Sequence, residues 1–182
     1  MPKHFSFLKY SFFTAFAVLL TFLFHEFGHW CAGEFLGYKM IMGLNSTYPD
    51  DHEFHTEWHD ILVTGTGPLF TVLQAVLAFL LLKNFGNELA YPFLFVPFYF
   101  RLWGAVTSFA FPNDESRIGD MLGNGSYTLP LIVCVLLFLL VFKASRENKF
   151  GTKFQLITIT AASVFMFALI IFDQSFHFKI IG

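Results

Sequence analysis

The chain has 182 residues, of which 55% are hydrophobic and 20% aromatic, and only 13% carry a charge. Soluble domains carry about 25% charged residues, so this composition, with a mean hydropathy of +0.60, favours an integral membrane protein. The net charge of −2 provides no basic surface and argues against a nucleic-acid partner. Cys31 and Cys134 lie in separate apolar runs without a CxxC spacing, so neither a disulfide framework nor a zinc knuckle is indicated.

Hydropathy predicts about five membrane spans, each near the ~20 residues that cross about 30 Å of hydrocarbon. They extend over about Phe7 to Cys31, Ile61 to Leu82, Tyr91 to Phe111, Leu129 to Phe142 and Phe154 to Phe172. The chain shows no internal repeat and no linker long enough to separate domains. We therefore expect residues 1–182 to form a single all-α integral membrane domain, a polytopic bundle of transmembrane helices in the lipid bilayer.

The first apolar run leads directly into His25-Glu26-Phe27-Gly28-His29, an HExxH pentapeptide. Residues four apart lie on one face of a helix, so His25 and His29 can bind one metal ion while Glu26 points at its bound water. Ionisable groups inside a span are costly and rare unless they are paired or functional. The motif therefore predicts the site of a zinc hydrolase inside the membrane.

Residues 37–60 separate the first two spans and are the most polar part of the chain. Their glycine, asparagine and proline residues predict an interfacial hairpin or a re-entrant loop that can shield a metal site. His52, His55 and His59 alternate there with acidic residues, which is typical of solvated surface groups. An accessory metal, a pH-sensitive gate and a substrate contact are the alternative roles of these histidines.

A catalytic zinc ion needs three protein ligands and an open position for water, so another residue must join the two histidines. In any alternating scheme the C-terminal ends of the first and third spans emerge on the same side of the membrane. Asp114 follows the third span and a proline, where the chain can turn its carboxylate back toward the bundle. The remaining candidates are Asp120, Glu115, Glu34 and the histidines of residues 52–59.

The placement of lysine and arginine predicts the topology, because cytoplasmic loops retain positive charge. With the N-terminus in the cytoplasm, the inner segments contain Lys3, Lys9, Lys83, Lys143, Arg146, Lys149 and Lys153. The outer segments then contain only Lys39, Arg117 and Lys179. We therefore expect a multi-pass protein whose N-terminus is cytoplasmic.

Three segments resemble the site-2 protease family of intramembrane zinc metalloproteases. Residues 25–29 are similar to its HExxH, including the glycine before the second histidine, and Gly65-Thr66-Gly67-Pro68 resembles its G-x-G-P signature. Residues 112–118 are similar to its P-x-D-G-x-R-I segment. Order and spacing agree over a metalloprotease-like core of about residues 12–123, and the C-terminal spans of about residues 127–182 lie outside the resemblance.

The resemblance implies a Zn²⁺ ion on His25, His29 and Asp114, with Glu26 as the catalytic general base. It implies hydrolysis of peptide bonds in membrane-embedded or membrane-proximal protein substrates, by water that the metal binds and Glu26 activates.

Three positions depart from the family pattern. Glu115 replaces the glycine after the ligand aspartate, Thr71 stands where an asparagine is usual, and Trp30 stands where a small residue is common. The first departure leaves Asp120 as the alternative third ligand.

Two other classes of protein share parts of the pattern. The histidine spacings loosely resemble the His boxes of integral membrane di-iron hydroxylases and desaturases, although the paired HxxHH boxes of those enzymes are missing. A non-catalytic pseudoprotease scaffold that binds membrane proteins is the third alternative, since two departures from the family pattern lie near the metal-binding motifs.

Overall fold

The computed structural model describes residues 6–176 and 178–182, so Lys3 of the topology prediction lies outside the described residues. The described part of the chain is mostly helical, which confirms the predicted all-α bundle. In chain order the elements are α1 (Phe7–Phe35), β1 (Met40–Gly43), β2 (Thr47–Pro49), α2 (Glu57–Phe85), α3 (Tyr91–Thr107), α4 (Asp114–Met121), α5 (Thr128–Glu147), α6 (Thr152–Phe176) and β3 (Lys179–Ile181). A single 3₁₀ turn, Glu88–Ala90, leads into α3.

Within the described ranges, five helices are long and apolar enough to cross a membrane, namely α1, α2, α3 with its 3₁₀ turn, α5 and α6. Large apolar side chains lie exposed on their outer faces, an arrangement that suits contact with lipid rather than water. On α2 such a stripe consists of Leu69, Leu73, Leu77 and Leu80, which are between 46% and 60% exposed. The fold is consistent with a multi-pass membrane protein.

Most helices extend beyond the apolar segments that predicted them. α1 continues to Phe35, and α2 begins at Glu57, where the Thr56 hydroxyl accepts a hydrogen bond from the backbone N–H of His59. Hydropathy detects the apolar part of a helix, whereas capping hydrogen bonds determine its polar ends. At 29 residues each, α1 and α2 are about 43 Å long and exceed the ~30 Å hydrocarbon layer.

The third span is shorter than predicted and is followed by a helix that was not predicted. α3 ends at Thr107 instead of Phe111, and α4 begins at Asp114 after Asn113. The Asn113 side chain caps α4 by accepting a hydrogen bond from the backbone N–H of Ser116 at 2.9 Å. Hydropathy does not detect so short and polar a helix, yet α4 determines the position of the Asp114 carboxylate.

α1 packs against α2, α3 and α6, and its buried face forms one side of the main core. Phe22 of α1 and Leu94 of α3 are fully buried in that core. Polar groups also link the helices inside the bundle. The Gln74 amide of α2 donates a hydrogen bond to the Thr21 hydroxyl of α1 at 2.9 Å, a contact that stabilises helix packing where water is absent.

The polar segment after α1 forms the predicted hairpin. β1 pairs antiparallel with β2, and β3 from the C-terminal end, which was not predicted, pairs antiparallel with the other edge of β1. The carboxylate of Glu34 accepts a hydrogen bond from the backbone N–H of Met40 at 2.8 Å, which fixes the start of the hairpin to α1. The Thr47 hydroxyl donates to the backbone carbonyl of Glu26 at 3.3 Å, so the hairpin lies against the HExxH segment.

Candidate metal centre

His25 and His29 of α1 and Asp114 of α4 bring three ligand atoms together. The Nε2 atom of His25 lies 3.0 Å from Oδ2 of Asp114, and the Nε2 atom of His29 lies 3.7 Å from the same oxygen. The two Nε2 atoms are 3.2 Å apart. Among the residues that the structure describes, this is the one group of three or more His, Cys, Asp or Glu side chains arranged to hold a metal ion.

The triangle of ligand atoms has the dimensions of a metal site. Bonds of about 2.0–2.1 Å in a tetrahedral zinc site place neighbouring ligand atoms about 3.3 Å apart. The observed separations of 3.0, 3.2 and 3.7 Å lie on both sides of that value. Two imidazoles and a carboxylate form a donor set that Zn²⁺ accepts and that other divalent transition metals share. The three side chains therefore fit a divalent metal ion.

Hydrogen bonds on the far side of each imidazole direct its Nε2 atom into the cluster. The Nδ1 atom of His29 lies 2.7 Å from the carbonyl oxygen of Val63, which can only accept, so Nδ1–H donates and, in the neutral imidazole, Nε2 retains its lone pair. The Nδ1 atom of His25 lies 3.2 Å from the Thr71 hydroxyl, which donates its own hydrogen to the carbonyl of Gly67. Such partners select the tautomer with which a histidine binds metal.

Two glycines allow α1 and α2 to approach closely at the cluster. A Cβ atom at Gly67 would overlap the His29 ring and lie only 2.6 Å from Cε1 of His25. A Cβ atom at Gly28 of α1 would lie 2.7 Å from the carbonyl oxygen of Thr66. Because of this close approach, the Val63 carbonyl and the Thr71 hydroxyl of α2 reach the two imidazoles.

Glu26 lies beside the ligand cluster. Its side chain is only 5% exposed and lines a cavity of about 210 Å³ that His25, His29 and Asp114 also line. Residues 45–47, at the end of the hairpin turn and the start of β2, form another wall of this cavity. At about 30 Å³ per molecule the cavity has room for several waters. A carboxylate in this position can accept a proton from a water next to the metal ligands.

Asp114 is held in its charged form. Burial raises the pKa of its carboxyl group, but the neighbouring imidazoles of His25 and His29 and the positive charge of Arg101 lower it by more. The pKa of Asp114 therefore lies well below the usual range of an aspartate, and the carboxylate is available to a cation at neutral pH.

The other residues that the sequence offered as third ligands lie outside the cluster. Asp120 is exposed and accepts a hydrogen bond from the Ser126 hydroxyl at 2.7 Å. The Glu34 carboxylate holds the start of the hairpin, as described above. Both carboxylate oxygens of Glu115 accept hydrogen bonds from Arg101. The geometry thus favours Asp114 over each of these three residues.

The histidines of the polar segment also lie outside the cluster. His52 and His55 are exposed, as surface groups are, and neither belongs to a group of potential metal ligands among the described residues. His59 is half-buried, and its Nδ1 atom lies 2.7 Å from the hydroxyl of Tyr38. This contact joins the beginning of α2 to the segment that follows α1.

Three neighbours of the ligands were not predicted from the sequence in these roles. In the sequence, Thr71 stood out only as a departure from the family pattern. A polar residue four positions after Gly67 lies on the same helix face as that glycine, and this spacing could have indicated its role. Arg101 lies inside an apolar span, and this costly placement is a signal from which a functional pairing could have been predicted. Val63 contributes its backbone carbonyl, which leaves no signal in the sequence.

Comparison of the chain with protein-family models, curated proteins and solved structures finds no match. A function is therefore inferred from the residues of the site and their geometry.

We expect Gly67→Ala to prevent normal metal binding, because the added methyl group displaces both imidazoles. Gly65→Ala is the matched control, since an added Cβ atom there meets only Ile118 Cδ1 at an ordinary 3.6 Å. In metal titrations of the purified proteins, we expect the affinity to fall at least about tenfold in Gly67→Ala and to change less than about twofold in Gly65→Ala. Equal affinities in the two variants would contradict the close approach of α2 to the ligands.

Asp114→Ala is expected to deplete the bound metal more strongly than Asp120→Ala. The first change removes a proposed ligand, whereas the second removes one hydrogen bond to Ser126 at the surface. Elemental analysis of both purified variants beside the wild-type protein measures the difference. The opposite order of metal contents would transfer the ligand role to Asp120.

Proposed function

We propose that this protein is an intramembrane zinc metalloprotease that resembles the site-2 protease family. The observation that carries the proposal is the convergence of His25, His29 and Asp114 on one point, with Glu26 in the same cavity. The likeness of the three sequence segments gains a physical basis from this geometry, because each segment contributes to the cluster. The HExxH segment contributes two ligands and the base, the G-x-G-P segment allows close helix packing, and the segment around Asp114 contributes the third ligand.

His25, His29 and Asp114 would hold a Zn²⁺ ion, which would supply the Lewis acidity that lowers the pKa of water to about 7 and polarises a peptide carbonyl. Glu26 accepts the proton of the attacking water and returns it to the leaving amide nitrogen. The Val63 carbonyl and the Thr71 hydroxyl keep the two imidazoles in the tautomer that leaves Nε2 free for the metal. Each proposed role is assigned to an atom that already lies at the cluster.

The position of the site supports a proposal for the class of substrate. The ligands belong to α1, a helix able to cross the bilayer, and to the adjoining α4, so the proposed substrate is a peptide bond in or near the membrane. A helical peptide bond is shielded by its own hydrogen bonds, and the substrate must therefore unwind locally before attack. The polar residues 45–47 can hydrogen-bond the backbone groups that unwinding exposes.

The protease proposal is tested with Glu26→Gln, which preserves the size of the side chain but removes its ability to accept a proton. Membranes from cells that express the variant are compared with wild type by mass spectrometry of membrane-protein fragments. We expect cleavage to fall by at least about a hundredfold while the metal content stays unchanged.

Full cleavage by Glu26→Gln would refute the proposal. Bound zinc without turnover in the wild-type protein would support a non-catalytic scaffold instead. Bound iron together with oxygen-dependent activity would support a di-iron oxidoreductase.

We further propose that the N-terminus is cytoplasmic. The end of the bundle where α1 begins carries Lys9, Lys83 and the basic residues of 143–153, whereas the opposite end carries fewer positive charges. Positive charge is retained on the cytoplasmic side. In this orientation the HExxH segment, in the C-terminal half of α1, lies nearer the non-cytoplasmic surface.

The orientation is tested by labelling single cysteines in sealed cells with a membrane-impermeant thiol reagent. Asp51→Cys and Lys149→Cys place the probe at exposed positions on opposite ends of the bundle, in a background where Cys31 and Cys134 are replaced by alanine. We expect Asp51→Cys to react and Lys149→Cys to react only after lysis. The reverse pattern would invert the proposed topology.

A further inference from the structure

Arg101 is a charged residue in the membrane-spanning helix α3, and its side chain is only 4% exposed. A buried guanidinium in this environment is costly unless another charge compensates it. Its Nη1 atom donates hydrogen bonds to both carboxylate oxygens of Glu115, each at 3.0 Å. Glu115 is itself only 3% exposed, so each of these buried charges depends on the other.

The same guanidinium also contacts two of the proposed metal ligands. Its Nη1 atom lies 3.5 Å from Oδ2 of Asp114, the oxygen that faces both histidines. Its Nη2 atom lies 3.4 Å from Nδ1 and 3.5 Å from Nε2 of His25. Nη2 is thus almost equally distant from the two ring nitrogens of His25. One guanidinium therefore contacts both a histidine and the aspartate of the proposed ligand set, and it is placed to fix their relative positions.

Glu115 follows the ligand Asp114 directly, at the first turn of α4. One guanidinium therefore contacts two adjacent carboxylates, one from the ligand cluster and one outside it. With both oxygens bound to Arg101, Glu115 is held away from the role of a competing ligand. The negative charge of Glu115 also offsets the positive charge of Arg101, which would otherwise repel a divalent metal ion bound beside it.

We propose that Arg101 is a positioning residue for the metal ligands, and that Glu115 is the counter-charge that allows an arginine to lie beside a divalent ion. This inference rests on the proposed function, because it requires a metal on His25, His29 and Asp114. The alternative is a simple ion pair that joins α3 to α4 without any influence on the metal. The two possibilities differ in the properties of the bound metal.

The test uses the full-length protein in detergent micelles, titrated with Co²⁺ and followed by its visible absorption, which reports both the affinity and the geometry of the ligands. Glu115→Gln leaves the Arg101 cation uncompensated next to the metal, so we expect the affinity to fall at least about tenfold. The double variant Arg101→Met/Glu115→Gln removes both charges and avoids leaving either one buried alone. We expect it to fold, to bind Co²⁺ at least about tenfold more weakly than wild type and to show an altered spectrum.

The matched control is Lys39→Met/Asp50→Asn, which removes another ion pair, joined at 2.8 Å but exposed and on the hairpin. It is expected to retain the wild-type affinity and spectrum. Thermal unfolding of every variant is recorded in parallel. If the double variant of Arg101 and Glu115 does not fold, Arg101→Lys decides the question, because one ammonium group keeps the charge but cannot span Glu115, Asp114 and His25 together.

Wild-type affinity and spectrum in Arg101→Met/Glu115→Gln, or in Arg101→Lys where that variant decides, would overturn the positioning role and leave a purely structural ion pair. That result would leave the proposed function intact. The proposed function fails separately if wild-type protein and His25→Ala give the same Co²⁺ titration, because no metal then binds at the three ligands. Weaker binding and a changed spectrum, with a normal control, establish Arg101 as part of the metal site.

Discussion

The close packing of α1 against α2 is the constraint on which the whole candidate site depends. Gly28 and Gly67 let the two backbones approach until α2 supplies hydrogen-bond partners to both imidazoles of α1. A side chain at Gly67 would occupy the space of the rings, so ligand geometry and helix packing are two results of the same contact. The third proposed ligand, Asp114, is the first residue of α4, which the Asn113 side chain caps. Two local features, a glycine contact and a helix cap, thus assemble ligands that are distant in the chain.

The charges of the site also favour a divalent cation. Glu26, Asp114 and Glu115 contribute three carboxylates and Arg101 contributes one guanidinium, and all of them except Asp114 are at most 5% exposed. When these groups are ionised, two negative charges remain uncompensated, and an excess of this kind is costly in a bundle of apolar helices. The proposed dication on the two histidines and Asp114 would neutralise this excess.

Features that are local in the chain were predictable from the sequence, and features formed by distant partners were not. The five apolar helices, the HExxH segment and the hairpin each leave a pattern within a few tens of residues. β3, in contrast, pairs with β1 from the far end of the chain, and neither strand carries a signal that identifies its partner. The exact helix ends and α4 depend on capping by Thr56 and Asn113, which hydropathy does not measure. Val63 acts through its backbone, so no choice of side chain reveals its role.

Glu115 shows why a departure from a family pattern must be interpreted together with its physical partner. Judged by the pattern alone, a glutamate in place of glycine counts against Asp114 as a ligand, because it adds a competing carboxylate beside it. In the folded chain that carboxylate is bound at both oxygens by Arg101, and Arg101 in turn contacts Asp114 and His25. Replacing Glu115 with the glycine of the family would bring the sequence closer to the pattern. It would also remove the closest counter-charge of a buried guanidinium beside the proposed metal ligands, so the glutamate and the arginine form one energetic unit in this chain.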